Sequence, residues 1–247
     1  MKKYIPATSV FVFLVLGWEI LARIINAAYI LPAPTEIVMK IWELRKVLLM
    51  VHLPATLNVT MIGLLISIIL GVILAIAMDW SKTLERALYP LVIATQTIPI
   101  TALAPLFVLW FGYGIWSKIV VTILITFFPI VINVYDGFKS TKREMEELLI
   151  TYGASRKQIF LKLKLPSSLP YFFSAIKMAI PLSLIGAAIG EWLGAQSGLG
   201  YFSKRMMTQL DGAGVFAPIV LLSLIAMVTV AIINILENKL LKWRKEI

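Results

Sequence analysis

The chain has 247 residues, 60% hydrophobic and 15% charged, with a mean hydropathy of +0.91, whereas soluble domains are about half apolar and a quarter charged; it is therefore a membrane protein. Its lack of cysteine excludes a disulfide framework, a thiolate metal site and a cysteine nucleophile. A net charge of +10 in so apolar a chain is assigned to basic loops on the inner face of a bilayer and not to nucleic acid.

A helix needs about 20 apolar residues to cross about 30 Å of hydrocarbon, and such runs are placed six times, near 5–25, 57–78, 87–111, 115–135, 171–193 and 215–236. The expected fold is therefore an all-α membrane protein with six transmembrane helices. Lys2 and Lys3 precede the first run as in a signal peptide, but the run is long and lacks a small-x-small cleavage site, so it is expected to remain as a span. Glu19 and Arg23 lie four apart and are expected to pair on one face of it near the outer interface.

The outer segment, about 26–56, starts with Leu31-Pro32-Ala33-Pro34-Thr35-Glu36 and then sets Ile37, Ile41 and Leu44 at helical spacing. It predicts an extended, proline-bounded lead into a short interfacial helix, serving as a docking surface or simply lying on the membrane. His52, the single histidine, falls in this connection and is expected to be solvated or interfacial. No histidine-based triad or metal site can be drawn, and no residue is assigned a catalytic or metal-binding role.

The third run contains Pro90, Pro99 and Pro105, with Thr95, Gln96, Thr97 and Thr101 among them. Proline is tolerated at membrane depth where neighbours or water satisfy the freed carbonyls, so this helix is expected to face protein or a cavity. Its polar residues then line a solute path or hydrogen-bond between helices.

Between the fourth and fifth runs lies a polar segment, about 136–170. Residues 144–152 place Leu148, Leu149 and Tyr152 at helical spacing and predict a short amphipathic helix ended by Gly153. Residues 156–164 predict a second short helix, with Ile159, Phe160 and Leu163 on one side, stopped by Pro166. The result is a helical elbow.

In the fifth run Gly186, Gly190 and Gly194 recur every four residues beside a row of Ala175, Ala179, Ser183 and Ala187, a pattern for close helix packing; Ser183 is also a candidate for the solute path. Glu191 is costly at membrane depth unless paired or wetted: it contacts solute or gates the path, or it anchors at headgroup level beside Trp192. Beyond it, Gly198-Leu199-Gly200-Tyr201 and Asp211-Gly212-Ala213-Gly214 bracket a polar stretch with Lys204, Arg205 and Gln209, a hinged outer loop or plain turns. Most of the 23 Lys and Arg, including Lys2, Lys3, Arg244, Lys245 and those of the elbow, fall on one side of this arrangement, which places both termini and the elbow in the cytoplasm. No Gly-x4-Gly-Lys-Ser/Thr loop occurs, so nucleotide-driven work falls to a separate chain.

A Glu six residues before a Gly, a small pair after it and Leu-Pro twelve further on, here Glu147, Gly153, Ala154, Ser155, Leu165 and Pro166, resembles the Glu-Ala-Ala loop in membrane subunits of bacterial ATP-binding-cassette importers. With Leu31 to Glu36, the turn from Trp110 to Lys118, Gly190-Glu191-Trp192-Leu193-Gly194 and Gly198-Leu199-Gly200, almost the whole chain resembles the nitrate, sulfonate and taurine branch of these permeases, which includes permeases for pyrimidine precursors of thiamine. Glu191-Trp192 and the run from Tyr201 to Met207 look most like that last group, while Leu148 and Leu149 stand where the family has alanines, implying a bulkier elbow.

The resemblance implies a type I importer permease fold, a single domain over 1–247 in the bacterial inner membrane, working by alternating access. Its implied partners are a second copy of the chain, cytoplasmic ATPase subunits that bind ATP and Mg, and an extracytoplasmic solute-binding protein; this chain itself binds no cofactor. The coupling residues implied are Glu147, Leu148, Leu149, Gly153, Ala154, Ser155, Ile159, Leu165 and Pro166. The expected solute is a thiamine-precursor pyrimidine, then a sulfonate, taurine or nitrate. Two rivals are a proton-coupled carrier, for which Glu191 and Lys177 are the nearest ionisable groups, and an intramembrane enzyme, for which no nucleophile–base pair is present.

Overall fold

A computed structural model describes residues 5–242, and among these the chain is helical, with no strand. Lys2, Lys3, Arg244 and Lys245, counted above toward the inner face, lie outside the described residues. The first span is α1 (Ile5–Ile25), followed by α2 (Pro34–Val47) and α3 (Leu53–Trp80). Glu19 pairs with Arg23 at 2.7 Å as expected, and it also accepts the Thr35 amide at 3.1 Å, satisfying one of the free N–H groups at the start of α2.

The expected separate interfacial helix is not separate. Leu48–His52 form one π turn, in which the Leu53 amide bonds to the Leu48 carbonyl, and Pro34–Trp80 is a continuous rod of 47 residues. Pro54 follows that turn after one residue, Leu53. In a regular α-helix its ring would meet the carbonyl four residues back; the extra residue in the π turn shifts that carbonyl and lets the rod continue.

The same device corrects the expectation for Pro166. After α7 (Arg143–Thr151) and α8 (Arg156–Ile159), a π turn at Phe160–Lys164 leads straight into α9 (Leu165–Gly194), with the Leu165 amide bonded to the Phe160 carbonyl. Arg156–Gly194 is therefore one helix of 39 residues, and Pro166 lies in the first turn of α9 and not at a helix end.

The third predicted span is broken into α4 (Lys82–Ala94) and α5 (Ile100–Phe111). At the break Gln96 and Thr97 bond to carbonyls three residues back, the Thr95 and Thr97 hydroxyls take the carbonyls of Val92 and Ala94, and Pro99 offers no amide to continue the ladder. The 12 residues of α5 rise about 18 Å, short of the hydrocarbon thickness, so the described residues contain five helices long and apolar enough to cross, with α5 as a shorter sixth apolar helix.

The bundle is built on α6 (Ile115–Lys139), which lies against α3 and α9. Ile130, Val131, Val134, Tyr135 and Phe138 of α6 form the main core with Ala75 and Met78 of α3 and Ala175 and Ala179 of α9. Lipid gives helices no hydrophobic reason to associate, so close backbone contact and buried hydroxyl bonds matter. A Cβ at Gly186 would lie 2.9 Å from Thr122 Cα, and one at Gly190 would lie 2.9 Å from Lys118 Cα, so α9 touches α6 at distances that only glycine permits; Gly194 extends the row onto the Tyr113 ring. Ser67 and Thr126 share a buried hydrogen bond of 2.6 Å between α3 and α6.

Two further helices follow among the described residues, α10 (Leu199–Thr208) and α11 (Gly212–Leu240). Lys177 of α9 pairs with Glu237 of α11 at 2.7 Å, giving the cation inside the fifth run a fixed anionic partner. Exposed side chains such as Phe11, Phe13 and Leu14 on α1 and Met227, Val228 and Ile232 on α11 are large and apolar, as a lipid-facing surface requires.

Candidate functional site

The elbow projects from the bundle. No residue of α7 is buried: Met145, Leu148 and Ile150 are exposed, as is Tyr152 just after it, Leu149 is half-buried, and Glu147 pairs with the still more open Arg143 at 2.7 Å. The helix ends in a Schellman turn, with the Gly153 amide bonded to Ile150 O and the Ala154 amide to Leu149 O. Gly153 takes φ +79 there, a left-handed conformation that side-chain-bearing residues adopt at a cost. Ser155 then caps α8, accepting the Gln158 amide while its own amide bonds to the Gln158 side chain.

Not all residues assigned to coupling share this surface. Glu147, Leu148, Gly153 and Ser155 are exposed at the tip and Ala154 is half-buried; Ile159 is buried in the body of the protein, and Leu165 and Pro166 belong to the first turn of α9. The dipole-favoured carboxylates in the first turn of α7 are Glu144 and Glu146, and Glu146 accepts a hydrogen bond from Thr141 Oγ1 at 2.8 Å.

Behind the tip lies a cleft of about 530 Å3, lined by Asp79 and Trp80 at the end of α3, Glu146 and Ile150 of α7, and Phe160 and Lys164. Lys164 Nζ lies 2.8 Å from Asp79 and 3.6 Å from Glu146, and Trp80 stacks at a tilt on Phe160 with ring centres 5.7 Å apart. At the foot of α4, Lys139 donates to Glu85 and holds its carboxyl below the usual carboxylate range. Neither Asp79 nor the role of Lys164 was visible in the sequence, because 85 residues separate them.

At the opposite end of α3, the start of α10 is held by three side chains, two from the start of α3 and the turn before it and one from the end of α9. Gly198 donates its amide to His52 Nδ1 at 3.1 Å, Leu199 donates to Thr56 Oγ1 at 2.8 Å, and Gly200 donates to Glu191 Oε2 at 2.7 Å. These are amides that a helix start leaves unpaired. Gly198 has φ +121, and a Cβ on it would lie 2.2 Å from Glu191 Cδ, so the loop closes onto the carboxylate only with glycine there.

Glu191 is thus not on an open face: it is 1% exposed. His52, expected to be solvated, is buried and accepts through Nδ1, which requires the neutral ring with its proton on Nε2. The other candidate path residues divide. Gln96, Thr97 and Thr101 are exposed at the break between α4 and α5 and Thr95 is half-buried, whereas Ser183 is fully buried with its hydroxyl turned back to Ile180 O at 2.7 Å and does not reach an open face.

Residues 67–242 match the family described as "Binding-protein-dependent transport system inner membrane component". The chain is 56% identical over 239 residues to the formylaminopyrimidine transport permease protein ThiX of Halalkalibacterium halodurans, covering 97% of this chain and 96% of that one. It is 35% identical over 217 residues to the riboflavin transport system permease protein RibX of Chloroflexus aurantiacus, covering 87% of this chain and 81% of the relative. The MetNI methionine ABC transporter, solved in inward-facing conformations, has the same fold over 73% of this chain and 90% of its own, with a TM-score of 0.56 and 20% identity. The family excludes the proton-coupled carrier and the intramembrane enzyme considered above. The chain belongs to the binding-protein-dependent inner-membrane components, and is a non-catalytic, multi-pass permease subunit of an ATP-driven importer.

Proposed function

We propose that two copies of this chain form the pathway of an importer for a pyrimidine of the thiamine-precursor type. Cytoplasmic ATPase subunits, which bind the ATP and Mg, clasp the elbow, and a solute-binding protein delivers the pyrimidine to the opposite face. The observation that carries the energetic half of this reading is α7: Met145, Leu148 and Ile150 stay exposed on a helix that the bundle itself does not cover, with Tyr152 exposed just after its end. An uncovered amphipathic helix beside a sharply set turn is a surface built to be covered. Glu147, Leu148, Leu149, Gly153, Ala154 and Ser155 are the contact set, with Ile159, Leu165 and Pro166 fixing the elbow to α9.

The solute half rests on the formylaminopyrimidine permease, similar over nearly the full length of both chains. The break between α4 and α5 supports a path between the two copies, since Gln96, Thr97 and Thr101 are exposed there in a region otherwise apolar. Ser183 and Glu191, buried within the single chain, are left out of the proposed lining. Alternating access follows if each nucleotide state of the ATPase pair prefers one arrangement of the spans.

The test is ATP-dependent uptake of labelled formylaminopyrimidine by cells carrying the whole importer, with taurine, an aliphatic sulfonate, nitrate and riboflavin as competitors. Competition by unlabelled formylaminopyrimidine alone supports the proposal. Uptake blocked by one of the other solutes, with no transport of the pyrimidine, overturns the solute assignment.

A further inference from the structure

Two π turns stand in the helical framework of the described residues, and each ends on a side chain that clamps another element. His52 closes the turn at Leu48–His52 and holds the start of α10; Lys164 closes the turn at Phe160–Lys164 and holds Asp79 of α3 and Glu146 of α7. Both turns run directly into a Leu-Pro pair, Leu53-Pro54 and Leu165-Pro166. A π turn rotates the residues before it relative to a regular helix, and here it aims one polar side chain out of each rod.

The two clamps sit at opposite ends of the same pair of helices. At the elbow end, Lys164 joins the base of α9 to the end of α3, with Trp80 on Phe160 beside it. About 40 Å away along the 28 residues of α3, Thr56 and His52 grip α10 from α3 while Glu191 grips it from α9. Between the ends the legs are braced against α6.

We propose that α3 and α9 act as one two-legged frame that carries displacement of the elbow to α10, and that Lys164 is the positioning residue which makes α3 follow. The inference rests on the coupling role of the elbow proposed above. Without the Lys164 clamp the ATPase still docks on α7 and still hydrolyses ATP, but α3 no longer moves with α9, and α10, held by both legs, responds less. The Lys164 ammonium suits this work because it bonds a carboxylate on each side and lies largely out of water, with 18% of its side chain exposed.

The experiment uses the assembled importer in membranes and a single cysteine at Gln209→Cys, an exposed site at the end of α10 in a chain without native cysteine. The probe is a membrane-impermeant thiol reagent, applied nucleotide-free and after trapping with ATP and vanadate. In the Gln209→Cys parent the labelling rates differ by roughly fivefold or more between the two states, the scale of a typical allosteric coupling. Adding Lys164→Met brings that ratio close to unity with unchanged ATPase co-purification and basal hydrolysis, and Lys164→Arg keeps the parent's ratio. Asp79→Asn, which leaves the Glu146 contact intact, is read in the same way and lowers the ratio, so poor insertion of one variant does not end the test. A Lys164→Met or Asp79→Asn protein that keeps the parent's ratio overturns the frame, as does loss of the ATPase subunit on Lys164→Met, which would place Lys164 in docking. Loss of the ATPase on a Gly153 variant alone bears on the elbow and leaves the frame untouched.

Discussion

Glu191 accepts the amide of Gly200 at 2.7 Å while the α carbon of Gly198 closes over its carboxyl group, so a carboxylate in the fifth span serves the fold of the next helix. Glu191→Ala leaves a buried amide unpaired and lowers stability by about 1–3 kcal/mol, read as a fall in the detergent melting temperature. Glu191→Gln retains an acceptor oxygen, loses less, and leaves the KM for solute unchanged, since the side chain has no open face. Gly198→Ala, with a positive φ and no space for a Cβ, lowers the amount of folded protein in the membrane more than either. A raised KM in Glu191→Gln with normal melting would place the carboxylate on the path.

Gly153 differs from the packing glycines because nothing lies within 4 Å of the Cβ it lacks. The cost of Gly153→Ala is backbone strain alone, about 1 kcal/mol. Gly153→Asp adds a charge on the uncovered face, so the protein inserts at a normal level, the ATPase no longer co-purifies and uptake stops. Loss of the protein from the membrane, with normal uptake per remaining molecule, would assign Gly153 to folding only.

Lys177 and Glu237 join α9 to α11 at 2.7 Å, with 25% and 17% of their side chains exposed. Lys177→Met leaves an unpaired carboxylate and costs about 3 kcal/mol, whereas Lys177→Met with Glu237→Met together cost less than either alone. Uptake in the double variant still follows ATP and ignores collapse of the proton gradient. Additive losses in melting temperature would show that the pair contributes no coupling.

Glu85 has its carboxyl held low by Lys139, so the contact contributes stability above the unfolded carboxyl value, about 4.3, and loses it as pH falls through the lower folded value. The melting temperature of the parent therefore falls more steeply below about pH 4.5 than that of Glu85→Gln, which has no proton to take up. Parallel curves would deny Glu85 this role.

Sequence patterning made most of the bundle legible because a crossing helix must be apolar for about 20 residues, and the glycine row on α9 announced a close neighbour without naming α6. Pro99 and the polar Thr95, Gln96 and Thr97 marked an irregular stretch, but the break after Ala94 itself was not legible, because hydropathy does not register where a ladder of hydrogen bonds ends. Pro54 and Pro166 misled for the opposite reason: a proline signals a stop, and only an i to i−5 bond just before it shows that the helix continues. The elbow tip was readable from Gly153 and the spacing of Leu148, Leu149 and Tyr152, whereas Ile159 was assigned to the same surface although its side chain faces inward. The holds on α10 were beyond pattern reading, since His52 and Gly198 are 146 positions apart and a lone histidine in an apolar chain looks the same whether wet or buried.

The central claim is that ATP energy enters this permease through α7, and Leu148→Cys, on its exposed face, tests it most directly when cross-linked in native membranes holding the whole importer. The expected result is a covalent product with an ATPase subunit, whose yield changes between nucleotide-free and vanadate-trapped states, and protection of the thiol from impermeant reagents added outside. Reaction with those outside reagents, and no ATPase in the product, would contradict it.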